Sequence, residues 1–416
     1  MVGVNAVESE TPRGRAAESR VSSPANQSAL TCFGRLPALD GVRGLAILAV
    51  FLFHYATGVT LQSPFLRDAT IPCRLGWSGV DLFFVLSGFL ITGILWDTRS
   101  DRNYYKNFYV RRSLRIFPIY YLLLGTLVLL TPIIHAHWSV GHLLIAAYLT
   151  NYAFLLSPGL AQISPLIQIT HLWSLAVEEQ FYSLWPMVVR RCKRARSLLT
   201  TCVILCVFAL VLRLSIYAIG WISYTAAYTS LFCRMDSLAL GAALAVLVRT
   251  CWRTTIQSYA PAALIVFGAL TSVWFLANRT TDRMHPAIAT VGYSLLALTY
   301  ATLVASILDE NSLIHRVFCG AWLRTLGKYS YGLYLIHFVL QPTLECGKTA
   351  CIYITHSRVA GLLLHLILSL AVCIALAWMS FRFIEEPILR LKSWFAYESS
   401  CGKTLTPNRE MSGMPA

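Results

Sequence analysis

The sequence predicts an all-α membrane protein with about ten transmembrane helices and one interfacial or re-entrant segment. Hydrophobic residues make up 56% of the 416 residues and charged residues only 13%, whereas soluble domains carry about 25% charged residues. Apolar runs near the length of a bilayer span recur along the chain. Most basic residues also fall on one side of these spans, as the positive-inside rule requires for cytoplasmic loops.

The two ends of the chain differ from its middle. Residues 1–35 are rich in Ser, Ala, Arg and Glu and have no apolar core, so they do not form a secretory signal peptide. They are predicted to form a disordered cytoplasmic leader, and residues 396–416 a disordered cytoplasmic tail. Residues 36–395 are then the membrane domain, with both termini in the cytoplasm and the protein in the plasma (bacterial inner) membrane.

Ten apolar segments are predicted to span the membrane. They cover residues 44–60, 79–96, 114–134, 171–189, 198–219, 231–248, 260–277, 287–307, 329–345 and 358–384. The run from His142 to Leu156, at about 15 residues, is short for a span. Counting it as a span would also move the basic run at 190–196 to the outer side. It is therefore predicted to lie on the outer side as an interfacial or re-entrant segment.

The net charge of +15 fits either nucleic-acid binding or basic membrane loops. The segregation of basic residues to one side favours the loops, so no nucleic-acid partner is expected. The twelve cysteines show no zinc-binding spacing, and no metal is expected. Cys346 and Cys351 share one predicted outer loop, where they either form a disulfide or remain free.

The first span carries two ionisable residues on one face. Arg43 and His54 are separated by three helical turns plus roughly 20°, or about 16 Å along the axis. Charged groups at membrane depth are expensive and are expected to be functional or paired. The predicted orientation places Arg43 at the cytoplasmic boundary and His54 nearer the outer leaflet.

Two further arginines open the third span. Arg112 and Arg115 are neighbours on one helical face because they are three residues apart. They either anchor the helix by the positive-inside rule or form, with Arg43, an anion-binding cluster at the inner mouth. The planar guanidinium suits phosphate because it binds two oxygens at once.

Carboxylates occur in the second and fourth spans. Glu178 and Glu179 are adjacent inside a span, and Glu178 and His54 are predicted to lie at similar depths, about 9 to 10 Å below the outer surface. Such a pair could work as acid and base. Asp81 near the outer mouth either orients His54 or caps its own helix.

Other polar positions are expected to be structural. Arg234 and Asp236 are predicted to pair with each other, and Ser87–Gly88 is a small-residue site for helix packing. His337 has no assigned role. No GxSxG or HExxH motif is present, so serine-hydrolase and zinc-protease chemistry have no support.

Six stretches together resemble the acyltransferase-3 family, the integral-membrane acyltransferases of the O-antigen acetylase type. They occur in family order from about residue 36 to 391: LDGVRGLAILAVFLFHY, GVDLFFVLSGFLIT, RRSLRIFPIYY, HLWSLAVEEQFYSLWP, YSYGLYLIHFVL and FRFIEEPILRL. The resemblance implies a ten-span domain that moves an acyl group, usually acetyl from cytoplasmic acetyl-CoA, to a hydroxyl of a carbohydrate. Acyl-CoA is then a donor substrate, and no resident cofactor is expected.

The family motifs fall on residues already singled out. The resemblance assigns Arg43, Arg112 and Arg115 to the phosphates of acyl-CoA. His54 would be the base or the acyl carrier, with Glu178 or Glu179 orienting it. The acceptor would be a surface polysaccharide, lipopolysaccharide or a glycosylated metabolite, and the chain is expected to lack the C-terminal esterase domain of some members.

Two other functional classes compete with an enzyme. Intramembrane charges also line the paths of transporters, so a permease for a small anionic or sugar-like solute is the main alternative. The sequence shows neither repeat symmetry nor paired broken helices, which are typical of transporters. An inactive acyltransferase-like sensor or scaffold is the third hypothesis, against which the intact Arg43, His54 and Glu178 argue.

Overall fold

A computed structural model describes residues 36–56, 70–161, 163–220 and 224–395. Within these ranges every regular element is a helix, and the sole β pairing is an isolated bridge between Ser164 and Ile167. The predicted all-α fold is therefore confirmed. The predicted disordered leader and tail, residues 1–35 and 396–416, lie outside the described residues.

Ten helices make up the body of this described part, and we number them in chain order. They are α1 (Pro37–Ala56), α2 (Gly79–Asp97), α3 (Tyr104–Leu129), α4 (Leu172–Arg191), α5 (Ala195–Ile219), α6 (Leu231–Leu247), α7 (Arg253–Ala277), α8 (Tyr293–Ser306), α9 (Ser330–Val339) and α10 (Arg358–Ser380). Shorter helical segments connect or extend them: Ile71–Arg74, Leu75–Ser78, Thr131–Ile134, Val140–His142, Leu143–Ala146, Thr150–Leu156, Pro158–Ala161, Tyr224–Thr229, Ile288–Gly292, Leu313–Phe318, Ala321–Lys328, Gln341–Glu345, Lys348–Thr355, Phe381–Glu385, Glu386–Arg390 and Leu391–Phe395.

Eight of the helical stretches in the described residues are long and apolar enough to cross a bilayer. They contain α1, α2, α3, α5, α6, α7, α8 and α10, so the protein is a multi-pass membrane protein. The other two predicted spans are also helical. α4 has 20 residues, but it carries two glutamates and two arginines, and α9 has only ten residues. Eight of the ten predicted spans therefore meet the length and composition of a span.

The segment between α3 and α4 contains no helix long enough to span, in agreement with the prediction. Residues 142–156 are divided between the end of one short helical turn and two short helices, Leu143–Ala146 and Thr150–Leu156. The hydroxyl of Tyr120 in α3 donates a hydrogen bond of 2.6 Å to the carbonyl oxygen of Ile145. Tyr120 and Tyr148 also stack with their ring centres 4.1 Å apart. This segment is thus packed against α3.

Close contact between α2 and α6 depends on two glycines. A Cβ atom at Gly88 would overlap the carbonyl oxygen of Leu238, and one at Gly241 would overlap the carbonyl oxygen of Val85. Small residues let two membrane helices approach at backbone distance. The predicted packing role of the Ser87–Gly88 site is confirmed for Gly88.

Four buried charges hold α2, α5 and α6 together, but the pairs differ from the prediction. Arg234 forms an ion pair with Asp81, and Arg213 with Asp236 at 2.7 Å. The predicted pair of Arg234 with Asp236 is wrong because residues two apart on a helix point to different faces. Asp81 lies in the first turn of α2 but, among the described residues, makes no capping hydrogen bond there and none with His54. Its carboxylate accepts bonds from Arg234 and, at 3.1 Å, from Ser237.

Two cysteines for which a disulfide was an open alternative do not form one. Cys346 is exposed and Cys351 is buried, and both are free thiols. Cys346 follows the helix Gln341–Glu345, and Cys351 lies within Lys348–Thr355.

Candidate active site: two adjoining cavities

The first cavity, which we call the arginine cavity, is surrounded by α1, α2, α3, α4 and α9. It encloses about 90 Å³ and is lined by all three arginines that the sequence singled out, Arg43, Arg112 and Arg115. Arg43 donates to Asp40 at 3.1 Å, and its side chain is 21% exposed. Arg43, Arg112 and Arg115 therefore meet at one cavity, which is the geometry that the anion-binding alternative requires.

Glu178 contributes a carboxylate to the same cavity. Its Oε1 atom accepts a hydrogen bond from the Ser87 hydroxyl at 3.0 Å, and its Oε2 atom accepts one from the Tyr182 hydroxyl at 2.9 Å. The guanidinium carbon of Arg112 lies 4.3 Å from the centre of the Tyr182 ring. Since residues four apart share a helical face, α4 presents Glu178 and Tyr182 together to the arginines.

Glu179 occupies a different position from Glu178, because successive residues of a helix are rotated by about 100°. It does not line the arginine cavity. Its electrostatic neighbours include Arg112, Tyr148 and Tyr331. Its Oε1 atom is buried and has no hydrogen-bond partner in the described part of the protein.

The second cavity, which we call the histidine cavity, encloses about 440 Å³. His54 from α1 lines it, and so do His171 at the start of α4 and Arg283 from the loop between α7 and α8. The aromatic lining residues come from several helices: Phe53, Trp77, Phe154, Trp173, Tyr228, Tyr334 and Phe338. Concave sites with an apolar wall and a few polar groups are the usual form of small-molecule sites.

The direct partner of His54 is His337 of α9. The His54 Nδ1 atom lies 3.1 Å from the His337 Nε2 atom. His337 is fully buried, and its Nδ1 atom lies 2.8 Å from the carbonyl oxygen of Tyr334 and 3.1 Å from that of Leu333. These contacts place His337 between the backbone of its own helix and the imidazole of His54.

The hydrogen-bond partners assign the tautomers of both neutral rings. Carbonyl oxygens only accept, so the proton of His337 must sit on Nδ1, and its Nε2 atom is an acceptor. His54 must therefore donate from Nδ1, which leaves the lone pair on its Nε2 atom. His54 thus has a nitrogen available as a base or a nucleophile, and His337 fixes which one it is.

His171 extends this group of imidazoles. Its Nε2 atom lies 3.2 Å from the carbonyl oxygen of Leu335, and its ring centre is 5.6 Å from that of His337. Its Nδ1 atom is buried without a hydrogen-bond partner among the described residues. Those residues contain no group of three metal-ligating side chains suited to a metal ion.

The two cavities adjoin at Val80 and Tyr334, which line both of them. The Tyr334 hydroxyl bonds to the Ser174 hydroxyl and donates to the carbonyl oxygen of His171 at 3.0 Å. The side chains at this junction therefore belong to three helices, α2, α4 and α9. Arg43 and His54 lie on opposite sides of the junction, one in each cavity.

One expected contact is not formed. Within the described residues His54 makes no hydrogen bond with Glu178 or Glu179, since its ring faces His337 and the Glu178 carboxylate faces Ser87 and Tyr182. The predicted acid–base pair of His54 and Glu178 is therefore wrong as a direct contact. Two residues at similar depth in the membrane need not belong to neighbouring helices. The residue that contacts His54 is His337, which comes from α9.

The sequence hypotheses missed several residues of the two cavities. His337 was noted as an intramembrane histidine, and that property alone is the signal that could have linked it to His54. Tyr334 lies one helical turn before His337 in the same motif. No sequence feature pointed to Arg283 as a cavity residue, because arginines are common in the loops between membrane spans.

Comparison with known proteins agrees with this architecture. Residues 36–380 match the profile of the acyltransferase-3 family, whose description is "Acyltransferase domain". No solved structure is significantly similar to the chain.

Several curated bacterial proteins are similar to the chain. The putative peptidoglycan O-acetyltransferase YrhL of Bacillus subtilis is 29% identical over 85% of this chain and 55% of its own length. The peptidoglycan O-acetyltransferase OatA of Listeria monocytogenes is 29% identical over 85% of this chain and 56% of its own length. A putative O-acetyltransferase of Staphylococcus aureus is 28% identical over 85% of this chain and 57% of its own length. The chain thus spans little more than half the length of these relatives.

Proposed function

The chain belongs to the acyltransferase-3 family, and from that premise we propose that it is a membrane O-acetyltransferase. It transfers an acetyl group from acyl-CoA to a hydroxyl of a carbohydrate. The observation that carries the proposal is the pairing of two adjoining cavities, one lined by three arginines and the other by a histidine with a defined free nitrogen. Each cavity suits one of the two substrates.

The arginine cavity is the proposed site of the donor. Arg43, Arg112 and Arg115 give it an excess of positive charge over the single carboxylate of Glu178. Guanidinium groups bind phosphate oxygens through two parallel charge-assisted hydrogen bonds. The cavity encloses only about 90 Å³, so the nucleotide of CoA would stay at its mouth and only the narrow pantetheine arm would enter. Glu178 would balance part of the charge and hold Tyr182 under Arg112.

His54 is the proposed catalytic base. Its Nε2 atom takes the proton of the acceptor hydroxyl while the hydroxyl oxygen attacks the thioester carbonyl carbon. The C–S bond then breaks, and the CoA thiolate leaves with the proton that His54 returns. His337 holds the reacting tautomer and touches no substrate. In the second route, the His54 Nε2 atom attacks the thioester carbonyl carbon, the C–S bond breaks and CoA leaves as the thiolate. The acceptor hydroxyl then attacks the acyl-imidazole, the C–N bond breaks, and the hydroxyl proton passes to the CoA thiolate.

The proposed acceptor enters the histidine cavity as a sugar. Its aromatic walls and volume of about 440 Å³ suit one ring rather than a folded chain. The relatives are described as acting on peptidoglycan, so a cell-wall or surface glycan is one acceptor class, beside lipopolysaccharide and glycosylated metabolites.

The proposed orientation follows from charge. The ends of α1 and α3 that carry Arg43, Arg112 and Arg115 face the cytoplasm, where acyl-CoA is made, because basic residues are enriched on that side of the predicted spans. Both termini then lie in the cytoplasm, and the histidine cavity lies toward the outer face of the plasma membrane.

The test uses the purified full chain in detergent with radiolabelled acetyl-CoA and a panel of soluble glycans. Release of CoA that requires the glycan, together with label on the glycan, is the expected result. His54→Ala should abolish both, while His356→Ala, a change to an exposed loop histidine, should not. Wild-type activity in the His54→Ala variant would contradict both routes. Movement of the glycan into liposomes without acetylation would support a transporter instead.

A further inference from the structure

Arg283 stands out in the histidine cavity because it is the one permanently charged side chain among the described residues that line it. No aspartate or glutamate contributes to the described lining. The nearest acid in sequence, Asp282, is exposed, and its carboxylate accepts a hydrogen bond from the backbone of Met284 at 2.9 Å. The cavity is therefore positively charged through a residue that the proposed transfer chemistry does not use.

Among the described residues, the guanidinium of Arg283 has no carboxylate partner. The described residues give it no ion pair and no hydrogen bond, and its Nε atom is buried. Its central carbon lies 5.2 Å from the Phe53 ring centre and 5.0 Å from the Tyr228 ring centre. The Arg283 side chain is partly exposed. Cation–π contacts recover part of the cost of burying its Nε atom, but that donor has no oxygen partner among the described residues. A ligand anion would complete the site.

The loop that carries Arg283 is held in place on both sides of it. The Tyr293 hydroxyl donates to the carbonyl oxygen of Arg283 at 2.6 Å. The indole N–H of Trp77 donates a hydrogen bond to the carbonyl oxygen of Thr281 at 3.1 Å. The hydroxyl of Tyr217 donates one to the carbonyl oxygen of Met284 at 2.8 Å. Such anchoring positions a binding group before the ligand arrives, which lowers the entropic cost of binding.

We propose that Arg283 binds a carboxylate or phosphate group of the acceptor, so that the preferred acceptor is an anionic sugar. This inference rests on the proposed function and adds the chemical class of the acceptor to it. Arg283 and His54 both line the histidine cavity, so the two groups face the same space. An anion on the planar guanidinium would therefore orient the sugar with a hydroxyl toward the His54 Nε2 atom.

The experiment compares anionic and neutral sugars of similar size. Methyl β-D-glucuronide and glucose 6-phosphate are the anionic probes, and methyl β-D-glucoside is the neutral one. Binding is measured by calorimetry without donor, and transfer is measured separately as the rate of glycan-dependent CoA release. The variants are Arg283→Met, Arg283→Lys and the matched control Arg279→Met, which removes an exposed charge from the same loop.

We expect the wild type to prefer at least one anionic probe over the glucoside by about tenfold to hundredfold, the range of a charge-assisted contact. Arg283→Met should bring that ratio close to one, Arg283→Lys should keep part of it, and Arg279→Met should keep all of it. A response to the glucuronide alone would identify a carboxylate site, and a response to the phosphate alone a phosphate site.

Two results would overturn the inference. One is a wild type without any preference for the anions, and the other is a preference that survives in Arg283→Met. The binding arm keeps the inference separate from the proposed function. An Arg283-dependent preference in binding without any transfer would retain the anion site and reject the transferase, whereas transfer to the neutral sugar alone would do the reverse.

Discussion

The His54 Nδ1 atom lies 3.1 Å from the His337 Nε2 atom, although the two residues are 283 positions apart in the chain. The contact joins α1 to α9, the shortest of the ten principal helices described. Because His337 is bound at its other nitrogen by backbone carbonyl oxygens, it acts as an acceptor with a fixed orientation. The hydrogen bond to His337 thereby keeps the proton of His54 on Nδ1 and leaves the Nε2 atom free.

Replacing His337 should therefore change catalysis according to the hydrogen bond that the new residue offers. His337→Leu removes the acceptor and should lower kcat by about 100-fold or more, because general-base catalysis contributes about 10²- to 10⁴-fold. His337→Gln keeps an amide oxygen that can accept from His54 and should retain kcat within about tenfold. Equal losses in the two variants, measured as initial rates on protein of matched thermal stability, would show that His337 acts only through packing.

Removing one arginine from the arginine cavity should weaken binding of the CoA donor more than binding of the acceptor. Arg43→Ala or Arg115→Ala should raise the dissociation constant of CoA about tenfold to hundredfold, because a charge-assisted hydrogen bond to phosphate is lost. Calorimetry with CoA in detergent measures this effect. Arg102→Ala, which removes an exposed charge between α2 and α3, is the control. Unchanged CoA affinity in Arg43→Ala and Arg115→Ala would leave these arginines as topology anchors.

Asp81 should affect stability rather than the chemical step. Asp81→Ala leaves the buried Arg234 without its counter-charge, which costs about 3–5 kcal/mol for a broken buried pair. The double change Asp81→Leu with Arg234→Met removes both charges and should recover much of the free energy of unfolding. Denaturant unfolding in detergent measures it. A fully stable but inactive Asp81→Ala variant would instead place Asp81 in catalysis.

Gly88 should not tolerate a side chain. Gly88→Ala places a Cβ atom against the carbonyl oxygen of Leu238 and should cost about 1–3 kcal/mol, as overpacking does elsewhere. Gly268→Ala is the matched control in α7, because a Cβ atom there meets nothing within 4 Å. It should be neutral or slightly stabilising, since alanine favours helix more than glycine. Equal melting temperatures for the two variants would contradict the proposed close contact of α2 with α6.

The sequence predicted the helical class, and it offered the grouping of three arginines as one of two alternatives, because both depend on simple regularities. Apolar length identifies spans, and a consistent orientation puts Arg43, Arg112 and Arg115 at the same end of the bundle. No comparable rule predicts which charged residues of different helices form ion pairs. Arg234 was assigned to Asp236 by nearness in sequence, but the structure pairs it with Asp81, 153 residues away.

The partner of His54 illustrates the same limit. Depth along a helix can be calculated from the rise per residue, so Glu178 was a reasonable candidate. Which helix faces His54 at that depth depends on the packing of the whole bundle. The contact with His337 arises because α9 packs beside α1, and the sequence of neither helix contains that information.

The junction at Val80 and Tyr334 bears on whether ions can leak through the bundle. Two cavities in series through a helical bundle would conduct protons and small ions if one continuous column of water filled them. A tyrosine ring tethered to Ser174 and His171, beside a valine, interrupts such a column with apolar surface. Under the proposed function, the narrow thioester arm of the donor would have to pass Tyr334, whereas a hydrated ion would lose its shell there. If the proposed transfer takes place, acyl groups would pass through the bundle while the membrane keeps its voltage.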